Sequence, residues 1–406
     1  MKILQLCKKF PYPLKDGESI AVNSLSKALC ELGCEITLLA MNTKKHYFQG
    51  DAQLVPEEIQ HYAAIHSVVV DNRVKLLDAF SNLFSDDSYH ISRFISLSFK
   101  AKLAQLLKEK EYDIIQLETP YLAPYIPLIR QYTEAPIAMR AHNVEHEIWQ
   151  RITQNTSFFL KKWYLNHLTK KLKDYELAQL SYYDLLIAIT QRDLNTFRAL
   201  GFKKQGIVIP IGLEMEQYQT RFSSFEQPLS ISFIGALDWM PNQEGIKWFL
   251  EKVWAKASKK MPNVKLHVAG RNTPDWLSKM KQKSIVVHGE VPNAIDFINA
   301  HSVMVVPLLS GSGMRAKILE GMALGKVVIT TSLGLEGIPA KHGRQVLIAD
   351  TPEAFVKQLV FCAQQPSRQL LQIGLQAQEF TQKNYDSLET ADSLLKTYQQ
   401  LTVGVL

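Results

Sequence analysis

The chain has 406 residues, 46% hydrophobic and 21% charged, with a formal net charge of +7. At roughly 100–200 residues per domain this predicts two domains or three, and the balance excludes an intrinsically disordered chain. No run of about 18 apolar residues occurs, which excludes a spanning helix. The positive balance suits anionic partners, but no helix-turn-helix, zinc-finger or aromatic RNA-binding signature argues for nucleic acid.

The opening segment MKILQLCKKFPYP is interrupted by Lys8 and Lys9 and lacks a small-residue cleavage site. Lys2–Leu6 therefore reads as a first buried strand rather than a leader, and a cytoplasmic location is expected. Phe10–Ser19 is a loop punctuated by Pro11, Pro13 and Gly17. Apolar residues at 21, 22, 25, 28, 29 and 32 predict a helix over Ile20–Leu32 ending near Gly33, followed by a strand over Glu35–Ala40. Strand, helix and strand in this order predict parallel pairing.

Further strands are predicted at Asp113–Leu117, Pro136–Arg140 and Asp184–Ile189. Residues 208–218 read as a crossing into a second series. That series runs through the strand Ser230–Ile234, the helix Gln243–Ala257, the strands Lys265–Ala269, Ile285–His288 and Val303–Val306, the helix Met314–Leu324 and the strand Val327–Thr331. Ser387–Leu401 is a further helix whose docking partner the pattern does not give. The four cysteines (Cys7, Cys30, Cys34, Cys362) lack a zinc spacing and are expected to be buried thiols.

These elements predict an α/β chain with two doubly wound Rossmann-like domains facing a cleft, with ligands at the carboxyl ends of the strands. The expected division is a first domain over 1–207, a linker over 208–221, a second domain over 222–385, and a terminal helix over 386–406.

Residues 303–337, VMVVPLLSGSGMRAKILEGMALGKVVITTSLGLEG, carry the most chemistry. Gly311, Ser312 and Gly313 precede a helix whose unpaired amides and dipole suit a phosphate. Met314, Ile318, Leu319, Met322 and Ala323 make one apolar side of that helix, and Arg315 falls on the same side in the first turn. A cation there is unfavourable unless an anion such as a diphosphate meets it. Lys317 and Glu320 fall on the polar side, where they are either ligand groups or a surface pair worth ~0.2–0.5 kcal/mol.

The segment resembles the donor-binding region of the large family of retaining glycosyltransferases with the GT-B fold. Glu320-Gly-Met-Ala-Leu-Gly-Lys-Val-Val matches the second half of that family's helix, turn and strand. The resemblance implies that Glu320 bonds the donor ribose and that the Leu333–Gly337 loop, with Leu335, faces the donor. Gly289-Glu-Val-Pro-Asn, with Gly289 and Val291, resembles the loop beside the nucleobase, and Phe233-Ile-Gly resembles the first strand of the second domain. Arg140-Ala-His142-Asn143-Val-Glu-His resembles an element of one branch, in which His142 sits near the transferred sugar, with Arg140 and Asn143 beside it. Asp16, Gly17 and Glu18 resemble the loop near the donor diphosphate and the acceptor.

The chain departs from the family at three positions. Ser312 stands where a first glutamate is expected, Ala236 where an arginine is expected, and Glu244 where a lysine is expected. Arg315, Lys317 and Arg271 are the cations available instead. No Asp-x-Asp pair suggests a metal, so cations and helix dipoles are expected to stabilise the leaving diphosphate, with no cofactor beyond a UDP- or GDP-linked sugar donor. The resemblance implies retention of configuration, with His142 orienting the sugar and Arg315 acting on the diphosphate.

The expected function is transfer of a sugar from a nucleotide-diphosphate-sugar to a glycan or lipid-linked acceptor. A non-catalytic nucleotide-sugar-binding subunit and a nucleotide-sugar epimerase are the alternatives. The segment Ser157–Lys173, SFFLKKWYLNHLTKKLK, either lies on an anionic membrane face or packs inward with a solvated basic side.

Overall fold

A computed structural model describes residues 1–14, 17–44, 47, 56–73, 82, 85, 87–280, 282–311 and 313–403. Two of the sequence-predicted site residues, Asp16 and Ser312, lie outside them. The chain forms two units: Met1–Gly212 together with the closing helix, and Leu213–Asp386.

The first unit is built on β1 (Lys2–Cys7), β2 (Glu35–Thr43), β3 (Ala64–Val70), β4 (Ile114–Leu117), β5 (Ile137–Ala141), β6 (Leu185–Ala188) and β7 (Gln205–Val208). They pair in parallel in the order β3-β2-β1-β4-β5-β6-β7. Helices cover both faces, so the central strands read as apolar runs: β4, β5 and β6 are buried throughout. The edge strands β3 and β7 are partly exposed along their length, and neither was expected from the pattern.

The second unit repeats the plan with β8 (Ser230–Ile234), β9 (Lys265–Ala269), β10 (Ile285–Gly289), β11 (Val303–Val306), β12 (Val327–Thr330) and β13 (Leu347–Ile348). All pairings are parallel, in the order β10-β9-β8-β11-β12-β13. One close approach fixes the turns after β8 and β9: a Cβ on Gly270 would sit 2.1 Å from the Gly235 carbonyl oxygen.

Three helices differ from expectation. The first helix begins at Gly17, inside the predicted loop. The helix after the glycine loop spans Ala316–Ala323, so Arg315 lies just before it in extended conformation rather than in its first turn. The predicted Gln243–Ala257 helix begins earlier, at Met240, and widens to a π-helical stretch over Phe249–Trp254 before continuing to Lys260.

The closing helix Ser387–Val403 returns to the first unit. Ala391, Leu394 and Tyr398 join the same apolar cluster as Ile3, Leu25 and Ile36. The chain leaves that unit at Gly212, where a Cβ would meet the Ser387 Cα at 2.8 Å. The cysteines are free, three of them buried and Cys30 half-buried.

Candidate functional site

In a doubly wound sheet the crevice opens where successive crossovers run to opposite sides, outside the carboxyl ends of the strands. In the first unit that point lies between β1 and β4. Glu118 follows β4 directly and is buried. Its Oε1 accepts from Gln5 Nε2 at 2.6 Å and from the Gln116 side-chain amide. Its Oε2 lies 2.9 Å from His142 Nε2 and 3.5 Å from Arg140 Nη1.

Burial alone would push the Glu118 carboxyl up. The Arg140 guanidinium, the His142 hydrogen bond and the Gln5 amide outweigh burial and hold it at about 2. An ionised carboxylate only accepts, so Nε2 is the protonated nitrogen of His142, which leaves Nδ1 as the other polar atom of the ring. Arg140 is 0% exposed and also donates to the Ala21 carbonyl at 3.0 Å. Tyr398 of the closing helix donates to Gln116 Oε1 at 2.7 Å, so the network is tied at a sequence distance of 282 residues.

A second cluster sits beside it. Glu18 Oε2 lies 3.4 Å from Lys8 Nζ and 3.7 Å from Lys9 Nζ. Lys8 Nζ stands 4.6 Å over the Tyr121 ring, and Tyr121 donates to Glu145 at 3.0 Å. Burial raises the Glu145 carboxyl, against the pull of Lys8. His146, the last residue of the Arg140–His146 element, is held by Glu176: its Nδ1 lies 2.6 Å from Glu176 Oε2 and its amide donates to the same oxygen at 2.9 Å. Asn143 is half-buried on the same loop, and Gly17 opens the helix that carries Glu18.

In the second unit the corresponding point lies between β8 and β11. Gly311 and Gly313 have φ of 103° and 80°, a left-handed backbone that favours glycine. Arg315 is 5% exposed, and its Nη1 donates to the Gly313 carbonyl. It braces the loop from beneath. Lys317 reaches across to the helix after β8, where its Nζ donates to Asn242 Oδ1 at 2.5 Å and stands 5.3 Å from the Phe233 ring centre. Asn242 Nδ2 in turn donates to the Ala236 carbonyl at 2.8 Å. Lys317 thus brings a cation near Ala236, joined to it through Asn242.

Burial pushes the Lys317 ammonium down to about 7, with Arg315 adding to the effect and Glu320 opposing it. Glu320 accepts from Tyr218 at 3.5 Å, and burial raises its carboxyl. The simple Lys317–Glu320 surface pair is therefore replaced by two longer-range contacts. Glu244 accepts from Ser310 at 2.7 Å, placing an anion at the foot of the glycine loop.

Arg271 Nε lies 3.9 Å from Asp238 Oδ1, and the Arg271 carbonyl accepts from the Leu237 amide at 3.0 Å. Gly289 has φ of 70°, and its carbonyl accepts from Gly270. Val291 is half-buried against the core. Leu335 is buried in the core, so its side chain does not face a ligand, while Leu333 and Glu336 of the same turn are half-buried. Among the described residues no group of three His, Cys, Asp or Glu side chains is placed to hold a metal ion.

Glu118, Gln5, Gln116, Tyr398, Asn242 and Tyr218 are site residues that sequence reasoning missed. For Glu118 a signal existed: an acid directly after the apolar run Asp113–Leu117, at the carboxyl end of a central strand. The others are ordinary polar residues that only their partners single out.

Comparison with known proteins agrees with the fold. Residues 16–217 match the family described as Glycosyltransferase Family 4, and residues 228–365 match Glycosyl transferases group 1. An uncharacterised 44.6 kDa protein in the cps region of Klebsiella pneumoniae is 24% identical, covering 97% of this chain and 99% of that protein. Among solved structures, sucrose-phosphate synthase of Thermosynechococcus elongatus superposes with a TM-score of 0.71 at 15% identity over 100% of both chains. The HepE protein of Anabaena in complex with UDP gives 0.68 at 15% identity, over 98% of this chain and 100% of that one. TarM gives 0.70 at 10% identity, over 99% and 98%. With family matches across most of both units and the two-domain Rossmann-like fold of GT-B enzymes, the chain belongs to the group 1 (family 4) glycosyltransferases.

Proposed function

We propose that the protein transfers a sugar from a nucleotide-diphosphate-sugar, with UDP the first base to test, to a glycan or lipid-linked acceptor. The observation that carries this is the placement of Lys317: its ammonium is held on Asn242 beside Ala236, below a left-handed glycine loop at the carboxyl edge of the second sheet. That sets a cation at the carboxyl edge of the sheet, where ligands bind in a doubly wound fold. The Anabaena HepE structures contain UDP, UDP-glucose, or UDP and glucose, which supports UDP for this chain.

In this reading Lys317 contacts the diphosphate and Arg315 holds the loop in shape. Glu320 meets the ribose, and Gly289 and Val291 flank the base. Transfer proceeds with retention and without a metal. The bond from the anomeric carbon to the phosphate oxygen breaks as the bond to the acceptor oxygen forms. The leaving phosphate oxygen takes the acceptor proton, and the Lys317 charge offsets the negative charge that develops. On the first unit, His142 orients the sugar through a ring fixed by Glu118, and Glu18 with Lys8 and Lys9 faces the acceptor.

Calorimetric titration with UDP, GDP, ADP and their sugar conjugates tests the reading. One nucleotide should bind, and Lys317→Met should weaken it by about 10–100-fold, the worth of a charge-assisted contact. Absence of binding across the set to folded protein would overturn the donor assignment.

A further inference from the structure

We propose that the start of the helix Phe159–Gln179 is a docking surface for an anionic lipid bilayer. This helix already has a core-facing side, on which Leu165, Leu168 and Leu172 are buried. Its first residues carry a second apolar set that the core does not use. Phe158 is 59% exposed, Phe159 70%, Leu160 54% and Trp163 61%. Phe158 and Phe159 pack on each other at 5.8 Å between ring centres, and Trp163 stacks on His167 at 6.2 Å, so the exposed rings form two pairs at this helix end. Four large apolar side chains gathered in water at one helix end are costly unless something covers them.

Charge decides what covers them. Between Glu147 and Asp174 the sequence holds no acidic residue, while Arg151, Lys161, Lys162, Lys170, Lys171 and Lys173 are all cationic. Lys161 and Lys162 lie between Phe159 and Trp163 in the sequence, and both belong to the same first turns of the helix. Aromatic rings settle at the level of lipid headgroups, and adjacent lysines reach the phosphates with their ammonium groups while their stems stay in the apolar layer. The pattern matches a bilayer carrying negative headgroups, to which each nearby cation adds attraction. No helix among the described residues is long and apolar enough to cross a membrane, so the contact is peripheral.

The test is co-sedimentation of the full chain with vesicles of phosphatidylcholine alone and of phosphatidylcholine with phosphatidylglycerol, at low and high salt. The anionic vesicles should retain the protein at low salt and lose it at high salt, and neutral vesicles should retain at least tenfold less. The double variant Phe159→Ser, Trp163→Ser should lower the bound fraction on anionic vesicles at least tenfold. The double variant Lys161→Gln, Lys162→Gln should flatten the salt dependence. Both should keep the parent melting temperature, because these side chains are largely outside the core. No binding to anionic vesicles, or binding that neither variant changes, overturns the proposal. Capture by immobilised poly-glutamate without capture by vesicles also overturns it, in favour of an acidic protein partner. Neither donor nor acceptor enters the measurement, so its failure leaves the donor assignment untouched.

Discussion

Glu118 Oε2 stands 2.9 Å from His142 Nε2, while the same carboxylate lies 3.5 Å from the fully buried Arg140. The imidazole is therefore positioned by a buried anion that is itself neutralised from behind. In the proposed reading Glu118 acts on the sugar only through the His142 ring, so its loss should act on turnover more than on donor binding. Glu118→Gln should lower kcat by about 10–100-fold and change the donor KM by less than about threefold. Steady-state kinetics over donor concentration would check this, and an equal rise in KM with unchanged kcat would count against a positioning role.

The same carboxylate is a stability element. Glu118→Ala leaves Arg140 buried and uncompensated, which costs about 3–5 kcal/mol by analogy with other broken buried pairs. At roughly 2–4 °C per kcal/mol for a unit of this size, the melting temperature should fall by more than about 6 °C. Glu118→Gln keeps the shape and should cost less. Calorimetric melting of the two variants separates loss of charge from loss of packing.

Lys317 should make donor binding depend on pH near neutrality. Its ammonium is pushed down to about 7, and only the charged form attracts a diphosphate. Affinity for a nucleotide-sugar should therefore fall as pH rises from 6 to about 8.5, in the direction of deprotonation. Lys317→Met should bind weakly at every pH and show no such slope. Titration calorimetry at several pH values reads both.

Acid should destabilise the fold in two stages. His301 lies against His267, with ring centres 4.4 Å apart, and His267 Nδ1 is 3.0 Å from His288 Nε2. Burial first, then those two rings and Lys326, push His301 down to about 3 from an ordinary 6.5. A histidine held neutral contributes stability that is complete above its unfolded value and is lost as pH falls below about 6.5. His90 follows the same sign, with burial holding it at about 4. Glu118, held at about 2 against an ordinary 4.5, adds its loss only below about 4.5. Melting temperatures from pH 8 to 4 should fall first between 6.5 and 5. His301→Asn should make that first stage shallower.

The glycine at 270 is a packing requirement. Gly270→Ala places a methyl 2.1 Å from the Gly235 carbonyl oxygen, where the neighbouring turn must move. A cost of about 1–3 kcal/mol is expected, as for other overpacked sites. Because Asn242 and Lys317 stand on that turn through Ala236, nucleotide affinity should fall with it; thermal unfolding and calorimetry together check the link.

The sequence by itself determined the class of fold and the frame of the site. Central strands of a parallel sheet are apolar on both faces, so β1, β4, β8, β9, β11 and β12 were legible within one or two residues. Edge strands β3, β7 and β13 were not: β7 runs directly into the segment read as a crossing, and β13 is only two residues long. Glycine before a helix was legible from backbone geometry, while the Arg140–His146 element and the Glu320 segment were singled out by their resemblance to the glycosyltransferase family. Tertiary structure alone decided the partners. It set Arg315 beneath its own loop, carried Lys317 to Asn242, and brought Glu118 against His142 and Arg140. It also returned the closing helix to the first unit, where Tyr398 meets Gln116 across 282 residues. Hydrogen bonds and ion pairs between distant residues leave no periodic trace, since a buried carboxylate needs only donors within reach, whatever their place in the chain.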